Sequence, residues 1–412
     1  MIFWPMVIPE QAELGPLKDM AQEVISSSAS LEGRVAPATA KALGGNLRLL
    51  NSYYSNLIEG HKSSLLAIEQ ALEKRYDRNS EKRYAQDLCA AHILAEEDLT
   101  ALLDSRKGEN VAGVDFLKLI HSTFYRHLAP EHLFTHEENG FTDIPVMPGE
   151  LRDRPIAVGP NAAMGAAIGP EPGEDLRRGM DKFAEDYDQR RFHGDERLIA
   201  MASAHHRLTW LHPFRDGNGR VTRLFSTLYM AGCNINRSNL WSLSRGLSRR
   251  KDEYMVNLFS CDPPPDGEVS LAERSDLLAG LVEFVFGVCL DQIHFMDRLL
   301  SLQTLDERIE WFVDANSTKR GGELHPDSSR LLRAVFMRGE IPRGEAGTIM
   351  NKATSTARRV VRNLVDAGLL TSTTPKSALR VALPTKALPF YFPDLYDPSV
   401  VGEEYYKMIM RK

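Results

Sequence analysis

A chain of 412 residues exceeds what one compact core fills, so two to three domains are expected, and its apolar and charged fractions of 43% and 26% are those of a globular protein. No apolar run of about eighteen residues is uninterrupted, the start Met1-Ile2-Phe3-Trp4-Pro5 lacks the pattern of an export signal, and the four cysteines (Cys89, Cys233, Cys261, Cys289) form no Cys-x-x-Cys pair. These features argue against a membrane span, export, a disulfide framework and a zinc cage, and a cytoplasmic protein is expected. The net charge of −6 is unevenly spread, because residues 341–386 hold eight Lys/Arg against two Asp/Glu.

Leu47, Leu50, Tyr54, Leu57 and Ile58 follow helical spacing, and Gly60 stands where a left-handed cap would end that helix. A second helix is expected from near Ser63, with Leu65, Ile68 and Leu72 on one face. Periodic apolar residues then predict helices through Leu88 to Leu103 and Phe116 to Leu128. Residues 133–172 break the pattern with Gly140, Pro145, Pro148, Gly149, Pro155, Gly159, Pro160 and a small-residue run from Ala162 to Gly169, and predict loop or hairpin. Helices are expected again over Glu174–Arg190, Glu196–Leu211, Val221–Ala231 and Ser248–Phe259. The stretch Asp262 to Gly267 is a breaker, and Leu271–Leu305 returns to helix. The C-terminal part predicts helices over Ser329–Met337, Gly344–Asn351 and Ser355–Ala367, the last capped by Gly368. Strands follow near Leu369–Thr371 and Leu379–Leu383 around a polar tip, 372–377, which is the order of a winged helix-turn-helix.

Chemistry concentrates in His212-Pro213-Phe214-Arg215-Asp216-Gly217-Asn218-Gly219-Arg220. The following helix buries Val221, Leu224, Phe225, Leu228 and Tyr229, so Arg220 and Arg223 share another face. The turn Gly217-Asn218-Gly219 opens that helix, where free N–H groups and the helix dipole attract phosphate oxygens and two glycines allow close approach. Asp216 supplies a hard carboxylate for a magnesium ion bridging phosphates, two arginines neutralise phosphate charge, and His212 is a base that titrates near neutrality. A lone Gly-x-Gly is usually only a turn, but base, carboxylate, cradle and paired arginines on one loop are hard to explain as packing.

His212 through Arg223 resembles in full the Fic family pattern His-Pro-Phe-x-[Asp/Glu]-Gly-Asn-Gly-Arg-x-x-Arg, and the resemblance spans roughly residues 45–260. It implies a mainly α-helical Fic core with a small β-hairpin flap, ahead of the winged helix. The implied domains are 1–110, a helical region with an inhibitory helix near 45–60; 111–300, the catalytic core; 301–395, the winged helix; and 396–412, a tail. The implied activity is transfer of AMP from ATP to a protein hydroxyl. His212 takes the hydroxyl proton, Asp216 holds Mg2+, Gly217, Asn218 and Gly219 cradle phosphates, and Arg220 and Arg223 grip the triphosphate. Relatives that reverse the nucleotide and transfer phosphate carry a larger residue at the position of Gly219, so Gly219 with Arg223 argues for AMP. Pro148, Gly149 and Arg152 resemble the turn after the substrate-holding flap, with an ordinary exposed hairpin as the alternative. Asn257 and Tyr254 fall where relatives hold adenine, although Tyr254 also suits core packing.

Ser55-Asn56-Leu57-Ile58-Glu59-Gly60 resembles the family's inhibitory pattern [Ser/Thr]-x-x-x-Glu-[Gly/Asn]. Ser55 and Glu59 lie one helical turn apart, so the serine is expected to steady the carboxylate while Glu59 pairs with Arg223. An arginine so engaged cannot hold the γ-phosphate, and the enzyme would rest nearly inactive. The resemblance also leaves open phosphoryl or other nucleotidyl transfer and removal of AMP from a modified target. The arginines of Ser355–Ala367 suit DNA phosphates, which leaves a DNA-binding regulator as a second reading and protein contact or dimerisation as a third. The target protein is unidentified, a homodimer is one expected assembly, and no membrane partner is expected. Adjacent His205 and His206 point to different helix faces and read as structural; Tyr53 and Tyr54 are candidate self-modification sites.

Overall fold

Apolar stripes at helical spacing need partners, and here they assemble around two helices that are buried on nearly every side. The computed structural model describes residues 8–9, 11–136, 143–157, 168–262 and 270–396. Met1–Pro5, Gly140, Gly159, Pro160, most of the small-residue run, most of the Pro-rich breaker and nearly all of the expected tail lie outside the described residues. The chain is mainly helical. It begins with α1 (Gln11–Gly33), α2 (Pro37–Ile58), α3 (Leu65–Leu72), α4 (Ser80–Ser105) and α5 (Val114–Arg126). An antiparallel hairpin of β1 (Phe134–His136) and β2 (Asp143–Pro145), in register Thr135 to Ile144, leads to α6 (Glu174–Asp186), α7 (Glu196–Leu211) and α8 (Asn218–Gly232). Then come α9 (Leu243–Arg249), α10 (Lys251–Ser260) and α11 (Leu271–Leu299).

The central pair is α7 and α8, which pack on one another; α4 and α5 cover α8, while α6 and α11 cover α7. On α7 every residue from Leu198 to Leu208 is buried. The single change of direction between the two helices, residues 212–217, is therefore fixed from both ends.

Several predicted boundaries move. The cap of α3 is Ser64 rather than Ser63, its hydroxyl accepting from the Ala67 N–H at 3.2 Å. The helix expected to reach Arg190 stops at Asp186, and Ser248–Phe259 is two helices parted at Arg250. The span Leu271–Leu305 breaks at Leu300-Ser301, where α11 ends. Sequence reading missed α1, because its buried Leu17, Ala21, Val24 and Leu31 are diluted by a serine run, Ser26 to Ser28. One of those serines is a packing residue: Ser28 is buried and accepts from the Trp241 indole at 2.9 Å. By length and composition α11 is apolar enough to cross a membrane, yet over half of that stretch is buried, mainly against α1 and α9.

The C-terminal unit follows as α12 (Leu302–Ala315), α13 (Ser328–Arg338), β3 (Glu340–Ile341), α14 (Ala346–Met350), α15 (Thr354–Asp366), β4 (Leu370–Thr371), β5 (Leu379–Val381) and α16 (Leu388–Tyr391). Its antiparallel sheet has the order β3-β5-β4, with β5 central. Gly368 takes the left-handed φ of +70° expected of a cap after α15. The unit rests on α2: the Thr39 hydroxyl donates to Phe336 O at 2.7 Å, and a Cβ at Gly339 would meet the Ala36 Cβ at 2.9 Å. The chain then returns to α9, where Arg245 donates to Leu395 O (3.2 Å) and Asp394 O (2.8 Å). Thus α2 is held by the C-terminal unit at one end and carries Glu59 at the other.

Between α2 and α4 lies a buried polar cluster with a measurable consequence. Glu96 accepts from Asn239 Nδ2 at 2.9 Å and sits 3.5 Å from Arg48, while its other carboxyl oxygen has no hydrogen-bond partner. Burial pushes this carboxyl up to about 7, against the pull of Arg48. The folded value lies above the unfolded one, so the unfolded chain releases its proton first, and the stability held by the protonated form is lost as pH rises toward 7. Glu96→Gln keeps the acceptor and removes the titration. It is expected to raise stability at pH 8 by about 1–3 kcal/mol relative to the parent, with little difference at pH 4.5. Thermal melts of both proteins across that range check this; equal pH slopes would refute it.

Candidate active site

The last turn of α7 places His212. Its backbone is left-handed, φ 44° and ψ 57°, which ends the helix and swings the ring out of the helix cylinder. The Thr209 carbonyl lies 3.2 Å from Nδ1. A carbonyl only accepts, so Nδ1 carries the hydrogen and Nε2 keeps its lone pair. Burial pushes the half-buried imidazole down to about 4, with Arg152 acting in the same direction. The ring is therefore neutral at physiological pH and able to take a proton at Nε2.

Asp216 is held by three groups. Its Oδ2 accepts from the Tyr125 hydroxyl at 2.5 Å and from Arg220 at 3.1 Å, and its carbonyl accepts from His121 Nε2 at 3.3 Å. Burial alone would raise the carboxyl, but Arg220 and the Tyr125 hydroxyl outweigh it and hold Asp216 below the usual carboxylate range. Gly217 is demanded twice over: φ is +75°, and a Cβ there would stand 2.7 Å from the Tyr125 hydroxyl oxygen. Among the described residues no group of three His, Cys, Asp or Glu could hold a metal unaided. One ionised carboxylate does suit magnesium that completes its shell with nucleotide phosphates and water, and two buried Arg220 nitrogens, Nε and Nη1, make no hydrogen bond.

Asn218 does not offer its amide to a phosphate. Its Nδ2 donates to Phe214 O at 2.7 Å and its Oδ1 accepts from the Phe214 N–H at 2.9 Å, which staples the 214–218 loop shut. Donors without helical acceptors are found instead in the backbone of the first turn of α8.

Over that turn lies the end of α2. Gly60 has φ +89°, and the His61 N–H returns to Asn56 O at 3.0 Å, so α2 terminates in a Schellman cap that fixes Glu59. Lys251 of α10 ties the same end down by donating to Ile58 O at 2.6 Å. Glu59 Oε1 accepts from Arg223 Nη2 at 2.5 Å, and the arginine is only 2% exposed against 34% for the glutamate. Ser55 departs from expectation. Its hydroxyl accepts from Arg223 Nε (2.9 Å) and its carbonyl accepts from Nη2 (2.9 Å), so it steadies the arginine rather than the carboxylate. A Cβ on Gly219 would lie 2.2 Å from Glu59 Oε1. Burial would raise the Glu59 carboxyl, but Arg223 and Arg220 outweigh it and lower its pKa.

The residues expected at the flap divide. Pro148 is exposed, and Gly149, at φ +80°, donates its N–H to His121 Nδ1 at 2.8 Å. Arg152 is 3% exposed and is a clamp rather than an exposed turn residue. Its guanidinium donates to the carbonyls of His212 (2.9 Å), Arg154 (3.2 Å), Ile168 (3.3 Å) and Pro170 (2.5 Å), and its backbone N–H to Pro213 O (2.8 Å). Asn257 turns its amide back to Glu253 O at 2.8 Å. Tyr254 is buried, 2.7 Å from His205 Nε2, while Ser226 meets His205 Nδ1 at 2.7 Å and Asp262 meets His206 at 3.0 Å. Both histidines are thus packing residues. Tyr53 and Tyr54 are buried, which removes them as accessible modification sites in this conformation. Tyr125 and His121, which bind Asp216 from α5, were missed by sequence reading, since Phe124-Tyr125 and a lone histidine look like core periodicity.

Comparison with known proteins gives a match of residues 114–230 to the Fic/DOC family model. The matched stretch includes the 212–223 loop and helix and excludes Ser55–Gly60. A Fic family protein from Desulfovibrio desulfuricans G20 is similar in structure, with a TM-score of 0.51, 16% identity, and coverage of 92% of this chain and 98% of that one. A Fic-domain signalling protein from Bacteroides thetaiotaomicron superposes with a TM-score of 0.47 at 18% identity, covering 66% of this chain and 95% of that one. Fic-1 from C. elegans gives 0.48 at 16% identity, covering 68% and 72%.

Proposed function

We propose that this chain moves AMP from ATP to a target-protein hydroxyl under restraint by Glu59, because residues 114–230 match the Fic/DOC family model and members of that family typically transfer nucleotide or phosphate-containing groups to proteins. The observation that carries the reading is the shared geometry of the 212–223 loop. A neutral histidine with a free Nε2, an ionised Asp216 and the open first turn of α8 meet within one loop, and Glu59 lies on that turn, bonded to Arg223. Gly219 supports AMP over phosphate, because the place a Cβ would fill lies on the first turn of α8 and is taken in this structure only by the Glu59 carboxylate and Arg223.

In this reading the flap hairpin presents a target hydroxyl to His212. Nε2 takes its proton as the oxygen bonds to the α-phosphorus, the bond from that phosphorus to the β-phosphate oxygen breaks, and pyrophosphate leaves. Asp216 would hold magnesium, which would supply charge neutralisation for the leaving group. Arg220 and the α8 N–H groups stabilise the developing negative charge, and the Asn218 staple and Arg152 clamp keep the loop from moving during the reaction. The nearby polyphosphate raises the proton affinity of His212 toward the working range of a general base.

The test uses the Glu59→Gly protein with magnesium and ATP labelled at the α- or the γ-phosphate, together with cell lysate. Label from α-labelled ATP should enter protein, and adding His212→Ala should lower the rate by roughly 10²–10⁴-fold. Entry of γ-label alone would replace the proposal with phosphoryl transfer, and undiminished α-label transfer after His212→Ala would remove the histidine from its role.

A further inference from the structure

We propose that the exposed face of α15 and the 372–376 tip form a binding surface for double-stranded DNA, separate from the transfer site. The helix buries Ala357, Val360, Val361 and Leu364 against its own unit. That orientation leaves Thr354, Arg358 and Arg362, spaced by four, along the opposite side with Arg359 beside them. The arginines differ from four cations around them. Lys352 pairs with Asp327 (2.9 Å), Arg380 with Glu340 (2.9 Å) and Arg338 with Glu345 (2.8 Å), and Arg343 donates to Ser377 O (3.2 Å). Arg358, Arg359 and Arg362 make no hydrogen bond or ion pair with any described residue. Three adjacent unpaired guanidiniums repel one another, and an anionic partner relieves that cost.

Shape adds to charge. A groove of about 770 Å3 runs between Thr354, Arg358 and Arg362 on α15 and Thr373, Thr374 and Lys376 on the tip. The helix has 13 residues, about 20 Å in length, and at 10–12 Å across it matches the roughly 12 Å width of the B-form major groove. The tip would then lie along the flanking backbone, where threonine hydroxyls and a lysine suit phosphate and sugar. The deep, narrow major groove of A-form RNA does not admit such a helix. The polyanion is also confined to this face, because the chain outside residues 341–386 is net negative. The unit's order of helix, strand, two helices and two strands, with the last strand central, presents α15 as winged helix-turn-helix proteins present a recognition helix.

The experiment is fluorescence anisotropy of a labelled 30-base-pair random-sequence duplex with the full chain at 50 and 200 mM salt, alongside the Arg358→Ala/Arg362→Ala and His212→Ala proteins. Binding is expected at low salt, falling steeply as salt rises. The double substitution should weaken it by about tenfold or more and flatten the salt dependence by about two counterions, with an unchanged thermal melt because neither arginine holds the fold. His212→Ala should bind as the parent does, which separates this surface from the transfer reaction. No binding at 50 mM salt, unaltered binding after the double substitution, or equal competition by duplex RNA or polyglutamate would overturn the proposal.

Discussion

Replacing Glu59 with glycine should raise AMP transfer by about 30-fold. In the proposed reaction Arg223 binds the nucleotide, and in this structure that arginine is bonded to Glu59 Oε1 at 2.5 Å. Removing one partner of a well-buried pair costs several kcal/mol, but the Glu59 side chain is 34% exposed and solvent weakens its hold. About 2 kcal/mol for lifting the carboxylate is a reasonable figure, which leaves only a few per cent of molecules competent, and glycine abolishes that requirement. Ser55 bonds the same guanidinium through its hydroxyl and carbonyl, so the arginine keeps hydrogen-bond partners on α2 when Glu59 is removed. Glycine also clears the space over Gly219, where Glu59 Oε1 now lies. Glu59→Gln should fall between parent and Glu59→Gly, since it keeps a hydrogen bond but not the charge. The restraint should persist well into acid. The Glu59 carboxyl is lowered in the fold, so its pairing is complete above the ordinary carboxylate value and is lost only as pH falls through the depressed one. Initial rates with α-labelled ATP decide the matter; identical rates for parent and Glu59→Gly would end the case for a brake.

Arg152→Ala should cost both stability and activity. The side chain donates to four carbonyls on three segments of chain, 154, 168–170 and 212, in a site that is 3% exposed. Alanine leaves those acceptors without partners in a place water reaches poorly, and a loss of roughly 3 kcal/mol is expected, read as a fall in melting temperature of several degrees. His212 sits in a left-handed conformation at the end of α7, and the Arg152 bond to its carbonyl helps to hold it there. A displacement near 1 Å at such a group can cost about 10²-fold in rate. In the Glu59→Gly background, transfer by Arg152→Ala should therefore drop by about that factor in kcat, with a smaller change in the KM for ATP, because the phosphate cradle on α8 is untouched. Arg152→Lys should behave nearly as badly, since an ammonium cannot span acceptors set around a planar fork. Normal melting and normal kcat in Arg152→Ala would show that the clamp is dispensable.

The two substitutions illustrate where local and non-local information part. The helices carrying strong apolar periodicity were legible, Glu196–Leu211 to the residue, because a stripe at intervals of three and four has few alternatives once it must be buried. Gly60 was legible as a cap, since a helix that needs a left-handed residue favours glycine. So were the spacing of Arg220 and Arg223 on one helix and the three helices and two later strands of residues 328–383, which are matters of neighbours in sequence, whereas the two-residue strand β3 and the helix α16 were missed. By contrast, α1 was hidden by its serines, whose burial depends on what the rest of the chain brings to them. Ser55 steadies Arg223 rather than Glu59 because the arginine enters from α8, 168 residues away.

The sequence alone determined the chemistry within reach of one loop: a histidine, a carboxylate, a glycine turn and two arginines, held to their relative positions by a helix start and a short turn. Only the tertiary structure decided which of those groups are free. It closed Asn218 on Phe214, set Tyr125 and His121 of α5 against Asp216, made Arg152 of the expected flap turn a buried clamp, and laid the end of α2 across Gly219. The physical reason is that a polar side chain buries only when partners satisfy it, and those partners come from segments far apart in the chain, whose meeting is set by packing rather than by local spacing.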